Sequence, residues 1–354
     1  MNSVRLHRQI VQKMLDLGLR ATAPQRENLA WLCQSLAYSP DCHLATLALQ
    51  IPLPGQRESL IQRERRYLKN AHVQVARYYE PWVRHLLAHW PSRECCLVMD
   101  RTDIEHDASI LLLGAAYRKR LLPLVWQVLP FGASGEEAQI ALLRYIQPFL
   151  PPVRTCFYAD SEFRSVKVQG VCQQYHWHWQ VGLKGDLYFC TADTWRPLHA
   201  LGLQAGERRY LQGVCINKSQ PFGPVNLIAD WAPTQETPRY WALDLPADAQ
   251  AWRRGRKRYW IEPCNRDYKS HGFDLEQSKI TEPARLNVLL LAMAITTLWM
   301  IHVGDWLIRS GRSRELMPAG EPDYSMFRLG RDYLQRARTL DQRVPIGFTV
   351  GAAA

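Results

Sequence analysis

No Cys-x2-Cys pair occurs among the nine cysteines, and only Cys95 and Cys96 are adjacent. That scatter excludes the usual zinc-site spacings and offers no disulfide framework, so reduced and mostly buried thiols are expected. Long apolar runs are also missing. The longest, Val288–Ile301, contains Thr296 and Thr297. A membrane span needs about 20 apolar residues, so this run predicts a buried core helix and no membrane partner. The stretch MNSVRLHRQIVQKMLDLG has no apolar core followed by a small-residue cleavage site, and no signal peptide is expected. Repeats and low-complexity tracts are absent. Acids are in short supply: 33 Asp+Glu stand against 44 Lys+Arg, a net charge of +11. Such a surplus favours a polyanionic partner through phosphate neutralisation and counterion release.

What is present describes an ordinary globular chain, 47% hydrophobic and 22% charged. Its 354 residues are enough for one large core plus an appended module. Residues 1–90 show apolar positions at three- and four-residue intervals, which predicts a helical domain. Within it, HLATLALQIPLPGQRESLIQRERRYLKN has the outline of a helix-turn-helix. A short helix precedes a turn at Pro52 to Gly55, and a longer helix carries Arg57, Arg63, Arg65, Arg66 and Lys69. A solvated basic face on a plain helical bundle would give the same pattern. Residues 1–90 hold 12 basic against 6 acidic residues, over half of the surplus.

From about residue 94 the pattern changes to three strands, a helix, a strand, a helix and a strand, which predicts an α/β fold with a mixed sheet covered by helices. Residues 186–248 form short strand-like runs separated by Gly and Pro, a β-rich insertion. Helices resume at about 249 and continue past Arg309. The sheet-containing region is thus expected over 91–310, and residues 311–354 are expected to form a loose tail with a role in dimerisation.

Two acids, Asp100 in ECCLVMD and Asp160 in TCFYAD, follow hydrophobic runs and are expected to close their strands. A carboxylate inside a buried strand costs several kcal/mol unless paired, whereas the sheet rim is where open α/β folds build their sites. Two carboxylates converging there repel each other unless a cation lies between them, and Mg²⁺ takes carboxylate oxygens. Rim aspartates capping turns would explain either one alone.

The third acid lies in RRGRKRYWIEPCNRDYKSHGFDLEQSKI. Together with CLVMDRTDI and YADSEFRS, this segment resembles the DDE transposases of bacterial insertion sequences, in the branch marked by Tyr-x2-Arg-x3-Glu-x6-Lys. Arg258, Glu262 and Lys269 match the last three signature letters, and the likeness covers roughly residues 94–300. The resemblance implies a ribonuclease-H-like core in which Asp100, Asp160 and Glu262 are catalytic and hold two Mg²⁺ ions, with Mn²⁺ able to substitute. It further implies binding to double-stranded DNA at element ends and target, a homodimer on paired ends, and a cytoplasmic, nucleoid-associated location. Arg258 and Lys269, with the neighbouring Arg253, Arg254, Arg256 and Lys257, are expected to contact DNA phosphates.

Two positions depart from the signature. Its tyrosine falls on Gly255, with Tyr259 a possible substitute. Pro263 follows Glu262, and proline disfavours α conformation in the residue before it. A break is therefore expected, with Glu262 near an N-cap and Arg258 on a separate turn. Asp103, Glu105, Glu162 and Glu276 are nearby carboxylates, and Glu276 competes with Glu262 for the third position. His176 and His178 alternate with tryptophans in a strand, a two-His pair without further ligands. Trp231 or Trp241 could stack on a flipped base, although core packing explains both. A chain that keeps the fold and binds DNA without cutting, or another ribonuclease-H-like nuclease, would share most of these features.

Overall fold

The computed structural model describes residues 3–132, 134–317 and 324–351. Five helices open the chain: α1 (Ser3–Asp16), α2 (Ala23–Tyr38), α3 (Leu44–Ala48), α4 (Arg57–Leu68) and α5 (Val75–Ala88). α4 is amphipathic. Ile61, Glu64, Tyr67 and Leu68 face inward, while Arg57, Arg65, Arg66 and Lys69 are exposed.

The sheet begins with β1 (Glu94–Ile104), β2 (Ala108–Tyr117) and β3 (Arg120–Pro130). It continues through α6 (Glu136–Ile146), β4 (Arg154–Ala159), α7 (Val166–Gln174) and β5 (His178–Leu183). These elements follow the order expected from the sequence. β1, β4 and β5 are parallel neighbours, and β2 and β3 extend the β1 edge antiparallel. The β-rich segment supplies β6 (Tyr188–Thr191), β7 (Thr194–Pro197), β8 (Arg208–Ile216), β9 (Phe222–Asp230) and β10 (Arg239–Leu243). It is not a separate sheet: β10 pairs antiparallel with β5, giving one ten-stranded sheet in the order β3-β2-β1-β4-β5-β10-β9-β8-β6-β7.

After the sheet come α8 (Ala249–Gly255), a 3₁₀ stretch over Arg256–Ile261, α9 (Glu262–Arg266) and a π-helical turn over Asp267–His271. Then α10 (Pro283–Arg309) runs through the interior. It is long and apolar enough to cross a membrane, but 89% of its most apolar window is buried inside the fold. Thr296 and Thr297 return their hydroxyls to the carbonyls of Ala292 and Met293, so neither leaves a polar group unmet in the core. α10 joins the two halves. Cys33 of α2 donates to the Ala292 carbonyl, and Trp126 of β3 donates to Asn287. The first 90 residues therefore share one continuous core with the sheet.

The expectation of a loose C-terminal tail is corrected. Residues Met326–Thr339 form α11, which buries Met326, Phe327, Leu329, Gly330, Tyr333, Leu334 and Ala337. That spacing places one apolar face against α10. Beyond it, Phe348 is buried near Trp82, and the Pro345 and Thr349 carbonyls accept from Trp299 and bond His302. The fully buried Asp305 carboxylate accepts from Tyr117, Arg118, Arg309 and the Gly351 N–H, which ties this end of the chain down.

Candidate active site

Asp160 follows β4 directly and caps the short 3₁₀ turn Ser161–Phe163 by accepting from the Glu162 N–H at 2.8 Å. β5 passes close behind it. A Cβ on Gly182 would lie 2.9 Å from the Ser161 nitrogen, so only glycine allows that approach. Asp100 does not close its strand, contrary to expectation. β1 runs four residues further because β2 continues to pair with it, Asp100 opposite Leu112, out to Ile104. The parallel pairing with β4, however, stops at Met99–Ala159. Asp100 and Asp160 are each the first residue past that ladder, and this brings them to one place.

Glu262 arrives from the other side. The expected break at Pro263 is absent: Ile261, Glu262 and Asp267 all keep helical backbone angles. The chain absorbs the proline by winding as a 3₁₀ helix up to Ile261 and returning to α pitch at Glu262. Proline then falls in a first turn, where its missing N–H costs nothing. Arg258 and Glu262 consequently stay on one face and form an i,i+4 pair at 3.4 Å.

Arg258 joins the acids. Its guanidinium reaches Asp160 at 3.2 Å as well as Glu262, and its buried Nε has no acceptor. Asn265, one turn after Glu262, donates to Asp100 at 3.2 Å; sequence reasoning missed it, although its i+3 spacing from Glu262 was a usable signal. Burial pushes the Asp100 carboxyl up to about 6, with the negative charges of Asp160 and Glu162 adding to it against the pull of Arg258.

The nearby acids are otherwise engaged. Arg101 holds both oxygens of Glu162 and also pairs with Asp103, which accepts from Ser109 as well. Glu162 accepts further from the Ser134 N–H and hydroxyl. Glu276 pairs with Lys269 at 3.4 Å, and Glu105 with Lys279. Lys269 is thus held by Glu276 and is not brought to the three acids. His178 bonds Asp244 at 2.7 Å, not a second histidine.

The basic run before Glu262 divides among several surroundings. Arg253 and Arg256 line a cleft of about 810 Å³ with Trp241, Trp252, Tyr259 and Trp260. Arg254 lines neither this cleft nor the smaller one described below. Lys257 is not offered to a phosphate. Its ammonium lies against Glu94 at 2.7 Å and the Cys96 sulfur at 3.0 Å, fastening the 3₁₀ stretch to β1. Burial raises the Glu94 carboxyl, but hydrogen bonds from Lys257 and Cys96 and the lysine charge overcome it and leave it at about 2.

The signature tyrosine position has a steric explanation. A Cβ on Gly255 would overlap the side-chain amide of the buried Gln180 on β5. Tyr259 instead lines the cleft and accepts a hydrogen bond from Arg239 at 2.7 Å. A second cleft of about 460 Å³ contains Asp160, Lys184, Arg239, Trp241, Arg258 and Glu262. Trp231 is occupied elsewhere, donating to the Gln235 carbonyl.

As the side chains stand, the described residues contain no group of three or more His, Cys, Asp or Glu arranged to hold a metal ion. Carboxylates are nevertheless the donor type that a hard divalent cation takes. The site offers three carboxylates, one of them buried beside like charge, and an arginine already supplies positive charge among them.

No protein-family model matches the chain, and no curated protein matches its sequence. Among solved structures it is similar to the piggyBac transposase in a synaptic complex with hairpin DNA, at 11% identity and a TM-score of 0.48, over 95% of this chain and 79% of that one.

Proposed function

We propose that this chain is a DDE transposase with a ribonuclease-H-like catalytic region, of the bacterial insertion-sequence branch whose signature Arg258, Glu262 and Lys269 match. On this reading it binds the terminal inverted repeats of its element, cuts the strands and joins the 3′ ends to target DNA. The observation that carries the proposal is the convergence of Asp100, Asp160 and Glu262, from three separate segments, around Arg258 beside a cation-lined cleft.

Asp100, Asp160 and Glu262 would hold two divalent ions, Mg²⁺ or Mn²⁺. When bound, such ions activate the attacking water or 3′-hydroxyl and stabilise the leaving oxygen. Asn265 orients the Asp100 carboxylate, and the Arg101–Glu162 pair supports the loop behind Asp160. Arg258 offers a planar fork suited to a phosphate. The exposed Arg57, Arg65, Arg66 and Lys69 on α4 form a basic face suited to the terminal repeats. Two copies on paired DNA ends complete the working unit.

One observation favours a second reading. Arg258 bridges Asp160 and Glu262 where a cation would be expected, an arrangement that also suits a DNA-binding relative that does not cut.

A single experiment separates the two. Supercoiled DNA carrying the sequences that flank this gene is incubated with the protein and Mg²⁺. Nicked and joined products are expected from the wild type, and each of Asp100→Ala, Asp160→Ala and Glu262→Ala abolishes them while DNA affinity persists. Binding without any cutting by the wild type selects the second reading. Unchanged cutting by Asp100→Ala refutes the three-carboxylate site.

A further inference from the structure

A third cavity, of about 670 Å³, lies where the start of β3, the segment after Pro263 and the beginning of α11 meet. Its wall carries Arg120, Arg266, His271, Arg328 and Arg331, and Asp267 is its only acid among the described residues. Arg120 and Asp267 neutralise each other at 2.7 Å. Arg328 has a 3.5 Å contact with Asp332, outside the cavity wall. Arg266 is exposed and makes no ion pair among the described residues. Arg331 faces two backbone carbonyls, of His271 and Gly272, and its buried Nε has no acceptor. Among the described residues the cavity therefore carries more cations than acids, and the buried Arg331 Nε–H has no acceptor.

Its position gives that charge a direction. Pro263 lines both this cavity and the 810 Å³ cleft, which shares Arg239, Trp241 and Tyr259 with the cleft holding Asp160 and Glu262. Arg266 lies one turn beyond Glu262, and it lines this cavity while Glu262 lines the cleft of Asp160. A chain of cation-lined hollows thus leads from Asp160 and Glu262 to α11.

We propose that this cavity is a phosphate clamp, in which Arg266, Arg328 and Arg331 hold a backbone phosphate of the DNA strand that continues past the acids. The inference rests on the DNA reading above and deepens it, because it gives α11 a place in the DNA-binding surface. Guanidinium forks suit a phosphodiester, which offers two acceptor oxygens and a negative charge. Contacts of this kind position the strand without reading its sequence.

The test uses the full chain and a fluorescent duplex of arbitrary sequence, with anisotropy titrations from about 50 to about 200 mM salt. The variant is Arg266→Gln/Arg328→Gln, since both side chains are exposed and neither packs the core. Each lost phosphate contact lowers the slope of log affinity against log salt by about 0.9. A drop of about 0.9, for the one phosphate the clamp holds, with an unchanged melting temperature is expected, and the same drop on an unrelated duplex confirms backbone recognition. A wild type that binds with a steep salt slope, matched by the variant, overturns the clamp and leaves the DNA reading standing. A wild type without salt-dependent binding overturns both. A parallel calorimetric titration uses inorganic phosphate. If the variant loses phosphate binding but keeps the DNA slope, the cavity takes a free anion and the DNA clamp is overturned.

Discussion

Glu64 is the sharpest test of the physics in the helical region. It lies on the inner face of α4, fully buried, and neither carboxylate oxygen has a hydrogen-bond partner. The neighbouring Tyr67 hydroxyl is equally buried and unpartnered. Burial raises the Glu64 carboxyl from 4.5 to about 8, against a weaker opposing pull from Arg63. The folded protein thus holds this proton more tightly than the unfolded chain does. The stabilising contribution is complete below about pH 4, declines as pH rises, and is gone above about pH 8. At about 1.4 kcal/mol per pH unit, the whole span is worth about 5 kcal/mol. Glu64→Gln keeps the shape and removes the titration. Urea unfolding of wild type and variant at pH 5 and pH 8 isolates the effect, because the other titrating groups cancel in the comparison. The wild type should lose about 3–4 kcal/mol more than the variant between the two conditions. Parallel losses in the two proteins would refute the idea that Glu64 is held neutral in the core.

Two further predictions concern the segment that carries Glu262. Restoring the signature tyrosine with Gly255→Tyr drives a ring into Gln180 and should destabilise the fold by about 1–3 kcal/mol; adding Gln180→Gly should recover part of the loss in the same urea assay, and no recovery would place the clash elsewhere. The Glu94–Lys257 pair predicts acid sensitivity. The depressed Glu94 carboxyl, at about 2, contributes stability above about pH 4.5 that is lost as pH falls through 2. Glu94→Gln should therefore flatten the acid limb of the stability curve by about 3 kcal/mol, measured by thermal unfolding between pH 5 and 2.

Strand order and helix placement across residues 94–183 were legible because alternating apolar runs ended by turn residues leave few other arrangements. The position of Asp160 at a strand end followed from the same pattern. Asp100 did not, since the length of β1 is set by its antiparallel partner and not by its own hydrophobicity. The role of Lys257 was hidden for a different reason. In a run of five cations broken by one glycine, composition suggests one charged face, but helical winding distributes the side chains. Arg253 and Arg256 reach a cleft, Arg258 reaches the acids and Lys257 turns back to β1. The occupant of the space beside Gly255 is a residue 75 positions earlier, Gln180, which local spacing cannot reveal. α11 was missed, since residues 311–354 were expected to be loose, although its apolar positions repeat at helical intervals.

The arrangement of Arg258 bears on how the three carboxylates coexist. Asp100, Asp160 and Glu262 bring three potential negative charges to one end of the sheet, and Asp100 is buried enough that its ionisation is already disfavoured. Removing Arg258 without adding another cation would leave that repulsion uncompensated, which is costly at a partly buried site. On the proposed reading the arginine serves two states in turn. It neutralises Asp160 and Glu262 in the free chain, and once divalent charge is supplied there it becomes a guanidinium fork free to hold a phosphate. Lysine would be a poor replacement, since a point charge cannot meet Asp160 and Glu262 through two separate nitrogens as Arg258 does. The pairing that would suit a chain unable to cut is thus equally suited to one that keeps its carboxylates together until its substrate arrives, and cutting by the wild type decides between them.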